Sequence, residues 1–126
     1  MDEKLNELSK QVIGASIRVH QELGPGLLES VYQRCLVIEL QSMGLAVKTE
    51  VPVEVTYRGQ LVGDQGFRLD LLVENSLVVE LKSVEHVRPV HKKQLLTYLK
   101  ITGHRLGLLI NFNEVLLKDG ITRIAN

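Results

Sequence analysis

"FRLDLLVENSLVVELKSV", residues 67–84, holds two apolar runs separated by a short polar break. The runs, 67–74 and 77–84, read as strands joined through Asn75 and Ser76. Val78, Val79, Leu81 and Val84 put apolar side chains on both faces, the pattern of a central strand covered on both sides. Asp70 interrupts the first run; Glu80 and Lys82 interrupt the second. Two residues apart on a strand, Glu80 and Lys82 share a face. A charge is costly to bury unless paired or bound to metal, so E-x-K alone reads first as an ion pair.

Register decides between that reading and a site. Directly opposed residues of an antiparallel pair share a face. A two-residue loop at Asn75-Ser76 sets Asp70 opposite Leu81 and turns Glu80 away. A three-residue loop at Glu74-Asn75-Ser76 sets Asp70 opposite Glu80, so that both carboxylates meet. Asn tolerates the left-handed conformation such loops need, and the odd-length loop is predicted. Two facing carboxylates repel without a cation. Their hard oxygens suit Mg²⁺ or Mn²⁺, leaving positions for water, a backbone carbonyl and substrate oxygens. A lysine desolvated beside such a cation has a lowered pKa and positions or deprotonates a water. Activated water and a phosphate oxygen on one ion make the arrangement for phosphodiester hydrolysis.

Upstream, Leu5, Leu8, Val12, Ile13, Ile17 and His20 recur at helix spacing until "GPG" (24–26) ends the helix. A second helix is predicted from about Leu27 to Met43, with Gly44 at its end and Leu28, Val31, Tyr32, Cys35 and Leu36 as its apolar stripe. Val51, Val53, Val55 and Tyr57 then alternate as a strand, with a turn at "RGQ" (58–60). Downstream of Pro89, His91, Gln94, Leu95, Tyr98 and Leu99 fit a helix that stops at Gly103. "RLGLLINF" (105–112) reads as a buried strand, and a hairpin around "KDG" (118–120) ends the chain. The order is ααβββαβ with a C-terminal hairpin, an α/β domain with a mixed sheet.

A chain of 126 residues is read as one domain, and 44% hydrophobic against 24% charged residues excludes a disordered composition. Fifteen basic residues balance fifteen acidic ones, so whole-molecule charge does not itself point to nucleic acid. The lone Cys35 makes no internal disulfide and reads as a buried thiol. "MDEKLNELSK" lacks a basic and then apolar leader, and no run reaches the ~18 apolar residues of a membrane span, so a cytoplasmic protein without membrane contact is expected. His20, His86, His91 and His104 show no zinc spacing, and His20 reads as a hydrogen-bonded interior residue. Aromatic residues, 4% of the chain, form no stripe for base stacking.

Asp70 followed by Glu80-Leu81-Lys82 resembles the PD-(D/E)xK signature of the restriction-endonuclease-like superfamily, with Leu69 where the signature has its proline. Gly26-x-x-Glu29-x-x-Tyr32, "HKKQLLTYLK", "GLLINF" and "LKDGITRI" together resemble the GxxExxY family of that superfamily, from Ile13 to Ile124. The resemblance implies a restriction-endonuclease-like core, a mixed central sheet flanked by helices. It also implies a Mg²⁺- or Mn²⁺-dependent nuclease, with Asp70 and Glu80 on the metal and Lys82 on the attacking water. The carboxylate that many members add from the first core helix maps onto Glu29, as a metal ligand or through water. Gln94 and Tyr98 resemble the Q-x-x-x-Y motif of nucleases from helicase–nuclease repair complexes.

His91, Gln94 and Tyr98 share a helix face, either for positioning substrate or as a polar edge with a core tyrosine. Lys92 and Lys93 fit equally a nucleic-acid backbone contact and a solvated face. Glu29 has a second explanation too, since an acid in a first helical turn gains ~0.3–1 kcal/mol from the helix dipole. The expected partner is nucleic acid, with DNA as substrate, gripped with help from self-association or a partner subunit. The alternative function is a catalytically silent nuclease-fold module for nucleic-acid binding or assembly.

Overall fold

In a computed structural model describing residues 2–63 and 66–126, Leu5, Leu8, Val12, Ala15 and Val19 form one buried stripe of α1 (Glu3–Leu23). The Asp2 carboxylate caps this helix by accepting the Lys4 N–H at 2.9 Å. Gly24, at φ 73°, closes it through its N–H to the His20 carbonyl. α2 (Glu29–Ser42) buries Tyr32, Leu36 and Leu40. The expected stripe is shifted: Leu28 is 73% exposed and Val31 is also exposed. The helix starts at Glu29, which leaves Leu28 outside as the capping residue, and the inward face then falls at every fourth position. Cys35 is partly buried against the same core.

The strands are β1 (Val47–Pro52), β2 (Val55–Tyr57), β3 (Gln60–Gly63), β4 (Arg68–Val73) and β5 (Leu77–Lys82). After α3 (Pro89–Thr102) come β6 (Leu106–Asn111), a 3-10 turn at Leu117–Gly120 and β7 (Ile121–Ala125). The single strand expected over 51–57 is two. β1 ends at Pro52, while Val53 turns inward and its N–H bonds the Phe67 carbonyl. β2 and β3 form a separate hairpin that turns through Arg58 and Gly59, both at positive φ, as a two-residue hairpin loop requires. "KDG" lies in the 3-10 turn, so the final hairpin is the antiparallel β6–β7 pair around a longer connection.

The main sheet runs β1-β4-β5-β6-β7. Only β5 and β6 are parallel, with α3 as their crossover; the other neighbours are antiparallel. Leu71, Val79, Leu81 and Leu108 face α1 and α2, whereas Leu72, Val78 and Leu109 face α3. By alternation with Val78, Glu80 and Lys82 lie on the α3 side, while the alternation of β4 breaks at Asp70, between Leu69 on that side and Leu71 on the other. Gly107 lets α3 come close, because a Cβ there would sit 2.9 Å from Leu95 Cδ1. Among the described residues no helix is long and apolar enough to cross a membrane.

Candidate active site

The β4–β5 ladder pairs Val73 with Leu77, Leu72 with Val78 and Leu71 with Val79. The connecting loop is therefore Glu74-Asn75-Ser76, with Glu74 and Asn75 at φ 52° and 51°. Glu74 is an unusual residue for that region. Its carboxylate accepts the Ala46 N–H at 2.8 Å, which helps to hold it there. The next step of the register sets Asp70 opposite Glu80, and there the backbone ladder stops. On the other side β1 also skips a pair: Thr49–Leu71 and Val51–Leu69 are matched, but Glu50, at φ 50°, and Asp70 are not.

Side chains replace the missing ladder. The Leu81 N–H donates to Asp70 Oδ2 at 2.8 Å, and the Asp70 N–H donates to Glu80 Oε1 at 3.1 Å. Both carboxylates thus lie in the gap between the two strands. Glu80 is raised from 4.5 to about 9, first by burial and then by the charge of Asp70, against the pull of Lys82. Lys82 is half-buried. Among the described residues the ion pair within 4.0 Å is Arg18–Glu39, so Glu80 and Lys82 do not close the simple pair that E-x-K suggests.

The strand ends around this pair are tied together. Asn111, fully buried at the end of β6, donates from Nδ2 to the Val84 carbonyl at 2.9 Å. Its Oδ1 accepts the N–H groups of Val84 at 3.1 Å and Asn113 at 3.2 Å. Ser83 Oγ donates to the Leu27 carbonyl at 2.6 Å, which joins the exit of β5 to the "GPG" loop. Tyr32, fully buried and stacked on Phe112 at 4.5 Å, donates its hydroxyl to the Gly24 carbonyl at 2.6 Å. The same hydroxyl accepts the Leu27 N–H at 3.1 Å. It therefore fixes the loop before α2 rather than a carboxylate, and Gly26, at φ 97°, supplies the turn.

Glu29 is exposed as the first residue of α2, where the helix dipole favours an acid. It is within electrostatic reach of His91: burial, Lys82 and Arg88 hold that imidazole below its ordinary pKa, and Glu29 opposes them. His91 Nδ1 accepts the Arg88 N–H at 3.1 Å, so the neutral ring carries its proton on Nε2. Among the described residues no three His, Cys, Asp or Glu side chains gather as a metal-holding group. Asp70 and Glu80 meet as a pair, and Glu29 stands apart from them. Gln94, Lys92 and Lys93 are exposed near the start of α3. Tyr98 is buried, and its hydroxyl is made less acidic by burial, then by the charges of Glu80 and Asp70. His20 is the interior residue expected, with Nε2 2.7 Å from the Glu114 carbonyl oxygen.

A family model described as the PD-(D/E)XK nuclease superfamily matches residues 6–124. The chain belongs to the PD-(D/E)XK nuclease superfamily. A five-stranded mixed sheet with helices on both sides is this superfamily's restriction-endonuclease-like fold. Among solved structures the chain is similar to LHK-Exo in complex with dAMP, with a TM-score of 0.47 and 19% identity over 89% of this chain and 76% of that one. No curated protein matches.

Two features around Asp70 and Glu80 are not among the residues expected from the sequence. Asn111 had a signal, a polar residue closing the apolar run "GLLINF". The contact of Phe67 with Tyr98, with ring centroids 6.4 Å apart, had none, because the two lie on elements that only the fold brings together. A concavity of about 630 Å³ opens at the other end of the sheet, beside the Glu74–Ser76 turn, and holds none of the site residues.

Proposed function

We propose that this protein hydrolyses phosphodiester bonds of nucleic acid, with DNA as substrate and Mg²⁺ or Mn²⁺ as cofactor, as a GxxExxY-type nuclease. One observation carries this reading: Asp70 and Glu80 meet in a gap of the sheet, and Lys82 beside them is not spent in an ion pair. The donor set fits a hard divalent cation. Burial and then the charge of Asp70 raise Glu80 to about 9, and a bound cation would offset that charge.

Asp70 and Glu80 would hold the metal, and Glu29, which stands apart, would assist through a bound water. When bound, the metal supplies Lewis-acid stabilisation of charge on the phosphate oxygens. Lys82 holds the attacking water, and the proton released as the oxygen bonds to phosphorus passes to solvent. The P–O bond to the leaving nucleotide breaks, and that oxygen is protonated from solvent. His91, through Nε2–H, and Gln94 donate to the phosphate and sugar. Tyr98 borders the carboxylates, and Lys92 and Lys93 follow the backbone of the strand. With balanced charge overall, further grip on the nucleic acid comes from a second copy or a partner subunit.

The test is cleavage of single- and double-stranded DNA and RNA with Mg²⁺ or Mn²⁺, comparing the parent with Lys82→Ala and Asp70→Ala. Metal-dependent cleavage lost in both variants supports the reading. Cleavage surviving both points to another site. No cleavage and no heat of metal binding favour the silent binding module.

A further inference from the structure

We propose that Phe67 is a stacking platform for an unpaired base next to the scissile phosphate, which makes single strands and frayed ends the substrate class. This rests on the phosphodiesterase reading above. Phe67 precedes β4 by one residue and Asp70 by three, and the residue remains 44% exposed. Its position is nevertheless held on two sides. The Tyr98 ring meets it edge-on at 64°, with centroids 6.4 Å apart. The base of the β2–β3 hairpin meets it as well, where a Cβ on Gly63 would lie 3.8 Å from ring atom Cε2. A ring that is positioned and still open to solvent is suited to receive a flat apolar partner.

The surroundings continue the same chemistry. The β2–β3 hairpin packs closely on no helix and on no other strand among the described elements. It exposes Tyr57, Leu61 and Val62, with the Arg58 guanidinium 5.3 Å above the Tyr57 ring. Arg68, also exposed, follows Phe67 directly. Phe67 with Arg68 next to it, and Tyr57 with Arg58 at the turn of the hairpin, match the faces of bases and the charge of the backbone. A base inside a duplex has both faces covered by its neighbours, so only an unpaired base or an end can take the Phe67 ring.

The chain contains no tryptophan, so Phe67→Trp introduces a single indole emitter at the platform. In the Lys82→Ala background, that variant is titrated with oligothymidylate and with a blunt duplex in Mg²⁺, following indole emission and the anisotropy of labelled strand. The expected result is saturable quenching by the single strand and little by the duplex. Phe67→Ala is expected to weaken single-strand binding by about 5- to 150-fold, the loss of one stacked base, and Phe67→Trp to restore it. Strand binding with unchanged indole emission, or equal affinity in Phe67→Ala, overturns the platform and leaves the phosphodiesterase reading standing. No binding of any oligonucleotide overturns both.

Discussion

Asp70 and Glu80 exchange backbone contacts across β4 and β5: Asp70 accepts the Leu81 N–H at 2.8 Å, and Glu80 accepts the Asp70 N–H at 3.1 Å. Each carboxylate therefore does two jobs, replacing a lost ladder bond and forming the acidic pair. Asparagine at position 70 keeps an oxygen for Leu81 and loses the charge; alanine loses both. Asp70→Ala is expected to cost about 1–3 kcal/mol of stability, because it leaves a half-buried N–H unpaired. Asp70→Asn is expected to fold as well as the parent, and both are expected to lose metal-dependent cleavage. Urea denaturation beside a cleavage assay checks this, and a fully active Asp70→Asn contradicts it.

Lys82 makes no ion pair among the described residues, so its loss should be felt in rate and not in folding. Lys82→Ala is expected to lower kcat by about 10²- to 10⁴-fold, the contribution of a side chain that holds the attacking water. Its Tm should match the parent's. A comparable fall in Tm would mean that Lys82 is structural.

Glu80 gives the metal-free protein a pH signature. Its carboxyl titrates near 4.5 when unfolded and near 9 when folded, so between those values the folded chain holds the extra proton. Unfolding then releases a proton, and stability falls as pH rises across that window, by at most about 1.4 kcal/mol per pH unit. This contribution is complete below the unfolded value and lost through the folded one. Melting in EDTA is expected to show Tm declining from about pH 5 to about pH 9, with Glu80→Gln flattening the slope. Mg²⁺ is expected to raise Tm more at about pH 8.5 than at about pH 6, since binding displaces that proton.

Tyr32 bridges the Gly24 carbonyl and the Leu27 N–H with one hydroxyl while its ring stacks on Phe112. Tyr32→Phe keeps the stack and orphans the loop. A loss of about 1–3 kcal/mol is expected in denaturant unfolding. Faster amide exchange at Leu27 should accompany it, with lower cleavage activity as the start of α2 loosens.

Two glycines are expected to respond in opposite directions to alanine. A Cβ on Gly120 would lie 2.5 Å from the Asn111 carbonyl oxygen, a backbone atom that cannot swing aside. Gly120→Ala should cost about 1–3 kcal/mol and reduce activity, because it displaces the residue that ties down Val84. Gly14, inside α1, would meet only the Arg18 guanidinium at 3.6 Å. Gly14→Ala is expected to stabilise by about 0.5–1 kcal/mol in the same urea titration, with activity unchanged.

Much of this protein is written in short-range patterns. The apolar runs "FRLDLLV" and "LVVELK", the odd-length loop between them and the three interrupting charges determine that Asp70 and Glu80 meet. The 3.6-residue spacing around Val12 and Leu95 and the stops at Gly24 and Gly103 determine the helices. Each of these follows from backbone geometry and side-chain alternation over a few residues.

Tertiary structure decided the rest, wherever the partner is remote in the chain. Pro52 divides an alternating run that looks continuous, because β1 pairs with β4 while β2 and β3 pair only with each other. Asn111 spends its amide on Val84, Tyr32 its hydroxyl on a loop carbonyl, and Phe67 meets Tyr98. Glu29 reads the same as a dipole acid or as a ligand in one dimension; in three it sits exposed at the start of α2, within the field of His91 and apart from the paired carboxylates. A side chain's neighbours across the fold depend on how loops close and sheets stack, and no local period encodes them.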